Sequence, residues 1–169
     1  MLGFKGNEIV ADLGAGTGFY AVAAAKMVPH GKVYAVELHK DFLITIKNKA
    51  KEMHVPNVEC LWGDIEKIGG TKIGNHVVDV IIASNVFSQL PDKEKFLDET
   101  IRILKQGGRI LLVDWSDSLA FSSALRSQHI VTKSKAQEML EKKGFVHEKD
   151  INAGAHHYGM IFINNNIQK

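Results

Sequence analysis

An α/β fold, with a mostly parallel sheet between two layers of helices, follows from three features of the sequence. Short β-rich runs alternate with amphipathic stretches nearly from end to end, the pattern of strands joined by crossover helices. Several of the runs, such as Val77–Ala83 and Ile110–Val113, are almost continuously apolar, as strands covered on both faces are. Only Asn152 to His157 separate the last two runs, too few residues for a crossover helix, so those two strands must pair antiparallel. The 169 residues suit one domain with a sizeable core. No repeat, low-complexity tract or linker divides them, so 1–169 is expected to be a single domain.

In chain order, the expected strands are Glu8–Leu13, Lys32–Leu38, Val58–Trp62, Val77–Ala83, Arg109–Asp114, Phe145–Ile151 and Tyr158–Ile163. The first helix is the alanine-rich Phe19–Val28, stopped by Pro29-His-Gly31. Asp41 can cap a second, running to about His54 with Phe42, Ile46, Ala50 and Met53 as its apolar stripe. A third, Asp92–Leu104, puts Phe96, Leu97, Ile101 and Leu104 on one face and is expected to end at Gly107-Gly108. Thr132 or Ser134 can cap the last, which carries Ala136, Met139 and Leu140 and stops at Gly144. Five parallel strands linked by helices, a parallel sixth and an antiparallel seventh complete the expected sheet.

Composition narrows the setting. At 45% hydrophobic and 24% charged, the chain reads as an ordinary soluble protein. A net charge of +2, spread along the chain, gives no reason to expect nucleic acid or an anionic membrane as partner. No apolar run approaches the about 20 residues that a membrane-spanning helix needs, and the N-terminus lacks a signal-peptide pattern. Cys60 is the one cysteine, so neither an internal disulfide nor a cysteine metal site is expected; in its apolar run it reads as a buried structural thiol. A cytoplasmic location fits these features.

The chemistry concentrates in three motifs. Val10-Ala-Asp-Leu-Gly-Ala-Gly-Thr-Gly-Phe-Tyr20 leaves a strand, turns through Gly14, Gly16 and Gly18 and enters a helix. Glycines there let the backbone come close to a ligand, and the helix start offers free N–H groups. A dinucleotide loop would read G-x-G-x-x-G, whereas Phe19 stands three residues after Gly16; the spacing is Asp-x-Gly-x-Gly-x-Gly from Asp12. A pyrophosphate site is therefore disfavoured, and a loop that merely packs strand on helix remains the plainer alternative. Glu37 lies 21 residues beyond Gly16, at the end of the second strand, where a carboxylate can accept hydrogen bonds from both hydroxyls of a ribose. The plainer alternative is a solvated strand-end glutamate. Gly63-Asp64-Ile65 follows the third strand. Asp64 could accept from an adenine amino group while Ile65 and Leu38 sandwich the ring, but Asp is also a common turn former.

The stretches Val10–Gly18, Val33–Glu37, Trp62–Asp64, Val78–Val86 and Leu104–Asp114 together resemble the class I S-adenosylmethionine-dependent methyltransferases, in the broad group that includes ubiquinone- and menaquinone-biosynthesis-like enzymes. The resemblance runs from about Asn7 to Ile163. It implies a Rossmann-like three-layer α/β/α sandwich with a seven-stranded sheet of order 3-2-1-4-5-7-6 and an antiparallel seventh strand. It also implies S-adenosyl-L-methionine as cofactor and S-adenosyl-L-homocysteine as product. Carried over to this sequence, Asp12, Gly14, Ala15, Gly16, Thr17 and Gly18 would hold the methionine end. Glu37 would take the ribose, Leu38, Asp64 and Ile65 the adenine, and Ser84 and Asn85 would floor the crevice beside the methionine. The chemistry implied is in-line displacement of a methyl group by a small-molecule acceptor.

The sequence departs from the family pattern at several places. Ser84-Asn-Val-Phe87 is unlike the Asn/Asp-Pro-Pro-aromatic loop of enzymes that methylate the exocyclic amines of bases, so nucleic acid is disfavoured as acceptor. Ser88 stands where many relatives have a histidine, so no catalytic residue is assigned; no metal is expected. The cysteines of cytosine-C5 enzymes and arsenite methyltransferases are absent, Cys60 belonging to the third strand. About seven residues precede the first strand, where relatives usually carry lid helices. A shortened chain, a lid from another subunit (a homo-oligomer covering the site) and an open site for a large substrate are equally open. Trp115–Val131 and Asn152–Tyr158 are the expected substrate side, with His156, His157 and Tyr158 near the mouth as acceptor-positioning groups or, more plainly, as a polar hairpin. A non-catalytic cofactor-binding or scaffold subunit, and a nicotinamide-dependent oxidoreductase, are the competing functions.

Overall fold

The computed structural model describes residues 2–116 and 130–166. Seven strands form one sheet in the order β3-β2-β1-β4-β5-β7-β6. They are β1 (Ile9–Leu13), β2 (Lys32–Glu37), β3 (Val58–Trp62), β4 (Val78–Ser84), β5 (Leu104–Trp115), β6 (Phe145–Ile151) and β7 (His157–Asn164). Pairing is parallel from β3 to β5, and β7 is antiparallel to both β5 and β6. The expected order and the reversed last strand are both present.

The helices are α1 (Phe19–Met27), α2 (Lys40–Glu52), α3 (Lys93–Ile103) and α4 (Lys133–Lys142). One face of the sheet buries Val10, Val33, Val80, Val113 and Ile161 against Ala21, Val22, Ala24 and Ala25 of α1 and Leu43, Ile46 and Ala50 of α2. The other buries Leu13, Ile81, Leu112 and Phe162 against Phe96, Leu97 and Ile103 of α3 and Ala136 and Leu140 of α4. Two apolar layers on one twofold-alternating sheet make the three-layer sandwich.

Several local expectations shift. Helix α2 starts at Lys40 and buries Leu43, Ile46 and Ala50, while Phe42 and Met53 are exposed; the Phe42 ring instead meets His39 edge-on. Helix α3 is capped by Asp92, whose side chain accepts from the Lys95 N–H, and Ile103 replaces Ile101 on its buried face. Gly107 and Gly108 do not end a helix. They belong to a bulge in β5, where the register steps from Val78↔Leu104 to Val80↔Arg109 and Gly107 takes a φ of 73°. Thr132, not Ser134, caps α4. Cys60 is half-buried, and burial pushes its thiol up.

The crossover from β3 to β4 contains no helix. Residues 63–77 are a chain of turns, tied down by a buried carboxylate on α3. Glu99 accepts hydrogen bonds from the Gly69 N–H, the Thr71 N–H and the Thr71 hydroxyl. Arg102 donates to both Glu99 oxygens and continues to the Ile73 carbonyl and Asn75 Oδ1. Burial alone would raise Glu99; these donors outweigh it and hold the carboxyl below its ordinary value. Sequence periodicity registers no helix here because Gly63, Gly69, Gly70 and Gly74 break every candidate turn.

Candidate functional site

The carboxyl ends of β1, β2 and β4 and the loops after them meet at one edge. Strand β1 ends at Leu13, and the Gly14 and Ala15 N–H groups both donate to the Val36 carbonyl of β2, at 3.0 Å. The loop is thus laced to the neighbouring strand before it enters α1. The three glycines have different reasons to be there, although all have positive φ. A Cβ on Gly14 would fall 2.6 Å from Val86 Cγ2, and one on Gly18 2.8 Å from Ile46 Cγ1. These two are packing glycines. A Cβ on Gly16 would meet nothing within 4 Å, so Gly16 alone borders open space. Lys49 of α2 donates to the Thr17 carbonyl at 2.9 Å and steadies the outer turn.

Glu37 ends β2 under this loop. Its Oε2 accepts from the Gly16 N–H at 2.8 Å and its Oε1 from the His39 N–H at 2.9 Å. The glycine loop and the acidic residue expected to act with it are therefore in direct contact. A carboxylate has about four lone-pair sites, so two remain for hydroxyl donors.

Asp12 lies on β1, one strand over, and is 2% exposed. Alternation puts its side chain on the same face as Glu37 and Ser84, the face that packs α1 and α2. Burial is the main reason its carboxyl is raised to about 7; the Ala21 N–H opposes the rise and the Glu37 charge adds to it. Its Oδ2 has no hydrogen-bond partner. A cationic or N–H donor ligand would satisfy that oxygen and favour the charged form.

Six buried side-chain polar atoms among the described residues lack a partner: Asp12 Oδ2, Ser84 Oγ, Asn85 Oδ1, Thr100 Oγ1, His157 Nε2 and Tyr158 Oη. All but Thr100 sit at this carboxyl edge, because β7 runs backwards and begins where the parallel strands end. Asn85 also has a φ of 55°, in the left-handed region that Asn adopts more readily than most side chains.

Asp64, Ile65 and Leu38 do not share one surface. Asp64 Oδ1 accepts from the Glu66 N–H, and Oδ2 pairs with Lys67 at 2.8 Å. The Lys67 ammonium, then the Glu66 N–H, hold its carboxyl below the usual range. Asp64 thus serves as a turn former, with lone pairs to spare. Leu38 is exposed, but Ile65 is buried in the main core and does not stand opposite it. Sequence reading passed over Trp62, an exposed side chain whose Nε1 donates to the Leu38 carbonyl and whose ring lies under the Lys40 ammonium. Its position immediately before Gly63-Asp64 was the available signal.

On the substrate side, the three hairpin residues separate. His156 is exposed. Tyr158 points to the α3/α4 face beside Asp114 and is 6% exposed; burial, then the Asp114 charge, push its hydroxyl well above its ordinary value. His157 is on the face that packs α1 and α2, its ring stacked at 4.2 Å on Trp115. Asp114 accepts from the Ser88 and Trp115 N–H groups, and Ser88 Oγ accepts from the Val131 N–H. Ser88 is a structural link here. Most of the expected substrate segment Trp115–Val131 lies outside the described residues. Two surface grooves, one lined by Lys47, Lys51, His54 and Val58 and one by Glu8, Asp79, Lys105 and Arg109, lie at the opposite, amino edge. No group of three or more metal-ligating side chains occurs among the described residues, and none of their helices is long and apolar enough to cross a membrane.

Comparison with known proteins gives a consistent picture. The family described as "Methyltransferase domain" matches residues 4–152. The arsenite methyltransferase of Halobacterium salinarum is 32% identical over 109 residues, covering 64% of this chain and 27% of that protein. The demethylmenaquinone methyltransferase of Geobacillus sp. (strain WCH70) is 27% identical over 113 residues, 66% of this chain and 47% of that protein. The chain therefore spans between about a quarter and a half of the length of these relatives. Among solved structures, a SAM dependent methyltransferase from Aquifex aeolicus superposes with a TM-score of 0.85 at 26% identity, covering 96% of this chain and 85% of that one.

Proposed function

The chain belongs to the class I S-adenosylmethionine-dependent methyltransferase family, whose cofactor is S-adenosylmethionine, and we propose that it methylates a small-molecule acceptor. When bound, the cofactor supplies a methyl group on a sulfonium, ready for in-line displacement. The observation that carries the reading is Asp12 Oδ2, a buried carboxylate oxygen without a partner, on the strand next to Glu37 and under the one loop glycine that borders open space.

In this reading Asp12 accepts from the α-ammonium of the methionine part, with Ser84 Oγ and Asn85 Oδ1 beside it. The backbone at Gly14, Ala15, Gly16, Thr17 and Gly18 forms the wall along which the ligand lies. Glu37 accepts from the two ribose hydroxyls, and Asp64 from the adenine amino group. Leu38 and Trp62 offer the exposed apolar surface for the base, in place of the buried Ile65. Residues 1–169 act as one domain.

A small acceptor is supported by the net charge of +2, which provides little attraction for a polyanion. Thiolate capture of a metalloid has no support from these residues, since Cys60 pairs with Ala35 in mid-strand, away from the carboxyl edge. The exposed Phe19, Leu38 and Trp62 rim the crevice, which supports a covering partner; a second copy of the chain is our reading, in a cytoplasmic setting. Isothermal titration tests the core of the proposal. S-adenosylhomocysteine should bind with micromolar affinity and NADH should not; NADH binding without S-adenosylhomocysteine binding would replace this reading with an oxidoreductase.

A further inference from the structure

Strand β3 is an outer strand of the sheet and pairs with β2 alone. Just before it, the Asn57 carbonyl accepts from the Val33 N–H; just after it, the Gly63 N–H donates to the Glu37 carbonyl. In a parallel pair the residues whose backbone faces the neighbour alternate. Glu59 and Leu61 therefore turn their N–H and C=O groups toward β2, and Val58, Cys60 and Trp62 turn theirs outward. Three donors and three acceptors lie along an open edge, a template for one more strand.

The helix beside this edge carries charge that nothing in the chain matches. Lys40, Ile44, Lys47 and Lys51 of α2 follow at helical spacing and form one stripe. The stripe lies along β3: the Lys40 ammonium sits over the Trp62 ring, and Lys47 and Lys51 line a groove with Val58. Ile44 stands exposed in the same stripe. Elsewhere on the surface, lysines have acidic neighbours: Lys32 pairs with Glu59, Lys135 and Lys142 with Glu138, and Lys143 with Glu94 and Asp98. No ion pair among the described residues includes Lys47 or Lys51.

Edge and stripe have matching repeats. Lys47 and Lys51 are separated by about 6 Å along the helix axis. Alternate residues of a strand share a face and stand about 6.8 Å apart. Carboxylates at every second position of an added strand thus come opposite successive lysines, with Ile44 as an apolar contact beside them. A second copy of this chain is the wrong occupant, because pairing edge to edge sets its own lysines against these. A nucleic acid meets the lysines but offers no run of N–H and C=O groups to the edge.

We propose that β3 accepts an extended segment of a partner protein as an added strand, with acidic side chains at alternate positions paired to Lys47 and Lys51. Main-chain hydrogen bonds hold the segment and the lysines select it. The surface is outside the crevice and does not depend on what the crevice binds.

The probe is a blocked heptapeptide that alternates glutamate with threonine, followed by NMR of the full chain at neutral pH. It should bind saturably. The Val58, Cys60 and Trp62 amides should shift and exchange more slowly with solvent, while those of Glu59 and Leu61, already turned to β2, change little. The same peptide methylated at its backbone nitrogens should bind at least tenfold more weakly, and one with lysine in place of glutamate should not compete. Lys47→Glu combined with Lys51→Glu should weaken the acidic peptide at least tenfold and admit the lysine peptide. Affinity for S-adenosylhomocysteine in that double variant should stay within about twofold, and its circular dichroism should be unchanged. No saturable binding of the acidic peptide, equal binding of the methylated one, or undiminished binding to the double variant would each overturn the proposal. Displacement of the peptide by oligothymidylate, without protection of the β3 amides, would assign the lysines to a polyanion instead. Protection of those amides on concentrating the chain alone would assign the edge to a second copy.

Discussion

A carboxylate stands near each end of strand β1, and the two are treated in opposite ways. Glu8, just before β1 at the amino edge, is 8% exposed. Its Oε1 accepts from the Lys5 N–H and its Oε2 from the Gly6 N–H. Burial would raise it, but the backbone donors win and lower its pKa. Asp12, four residues on at the carboxyl edge, is raised to about 7 and has an oxygen with no partner. The rest of each edge follows suit. At the amino edge Asp79 binds the Ile9 N–H and Lys105, and Asn57 donates to Ala25 and Val28. At the carboxyl edge the polar atoms of Ser84, Asn85 and His157 stand open. A polar group that serves folding finds its partner inside the chain. One that serves a ligand is left incomplete, at a cost to stability.

The largest expected effect tests that cost directly. The Asp12 carboxyl is raised in the folded state, from an ordinary 3.8 to about 7. The folded chain therefore holds a proton that the unfolded chain has released throughout that window. Asp12 then lowers stability as pH rises from about 4 to about 7, with no further change above it. The full span corresponds to about 4 kcal/mol at most. Asp12→Asn should therefore gain stability relative to the unaltered chain between pH 5 and pH 8 in urea unfolding, while its affinity for S-adenosylmethionine falls at least tenfold. A stability difference that stays flat with pH would mean the carboxylate is not held in isolation.

The opposite edge should respond in the opposite sense. Glu8→Ala leaves the Lys5 and Gly6 N–H groups without their acceptor, and should cost about 2 kcal/mol, roughly 4–8 °C in melting temperature. S-adenosylhomocysteine affinity, measured below the new melting point, should be unchanged. A loss of affinity here would break the division of labour between the edges.

Glu37→Ala sharpens it further. We expect at least a tenfold loss of S-adenosylhomocysteine affinity, equivalent to about 1.4 kcal/mol or more. Calorimetry showing unchanged affinity, with the far-ultraviolet circular dichroism intact, would remove Glu37 from the ribose.

The smallest effect separates glycines within one loop. Gly18→Ala forces a Cβ to within 2.8 Å of Ile46 and should lower the melting temperature. Gly16→Ala meets nothing in the chain, so beyond the about 1 kcal/mol penalty for a side chain at positive φ it should act on ligand affinity. If both variants melt early and bind normally, the loop is a packing turn.

Much of this was readable beforehand, for identifiable reasons. Continuous apolar runs and a six-residue gap before the last strand dictated the sheet and its reversal, because burial on both faces and loop length leave little choice. Spacing singled out Glu37 and the glycine loop; that the two bond directly, through the Gly16 N–H and Oε2, it did not say. Spacing could not say that only Gly16 borders open space, since that depends on Val86 and Ile46 packing in from distant elements. Nor could it assign Ile65 to the core, or send His157 and Tyr158 to opposite faces, because one residue of register in β7 decides both. The α2 stripe differs at its ends because packing on the sheet, not periodicity alone, chooses Leu43 over Phe42.

The helix-free crossover after β3 has a mechanical consequence. A separate helix there would give Asp64 and Trp62 a support of their own. Instead residues 63–77 are riveted to α3 at two points: Glu66 Oε1 accepts from the Asp92 N–H at its start, and Glu99 grips Gly69 and Thr71 near its end. The turn that carries Asp64 is therefore anchored to α3. A displacement of α3, on the far face of the sheet from the glycine loop, is expected to reach the Gly63-Asp64 turn without passing through the loop after β1.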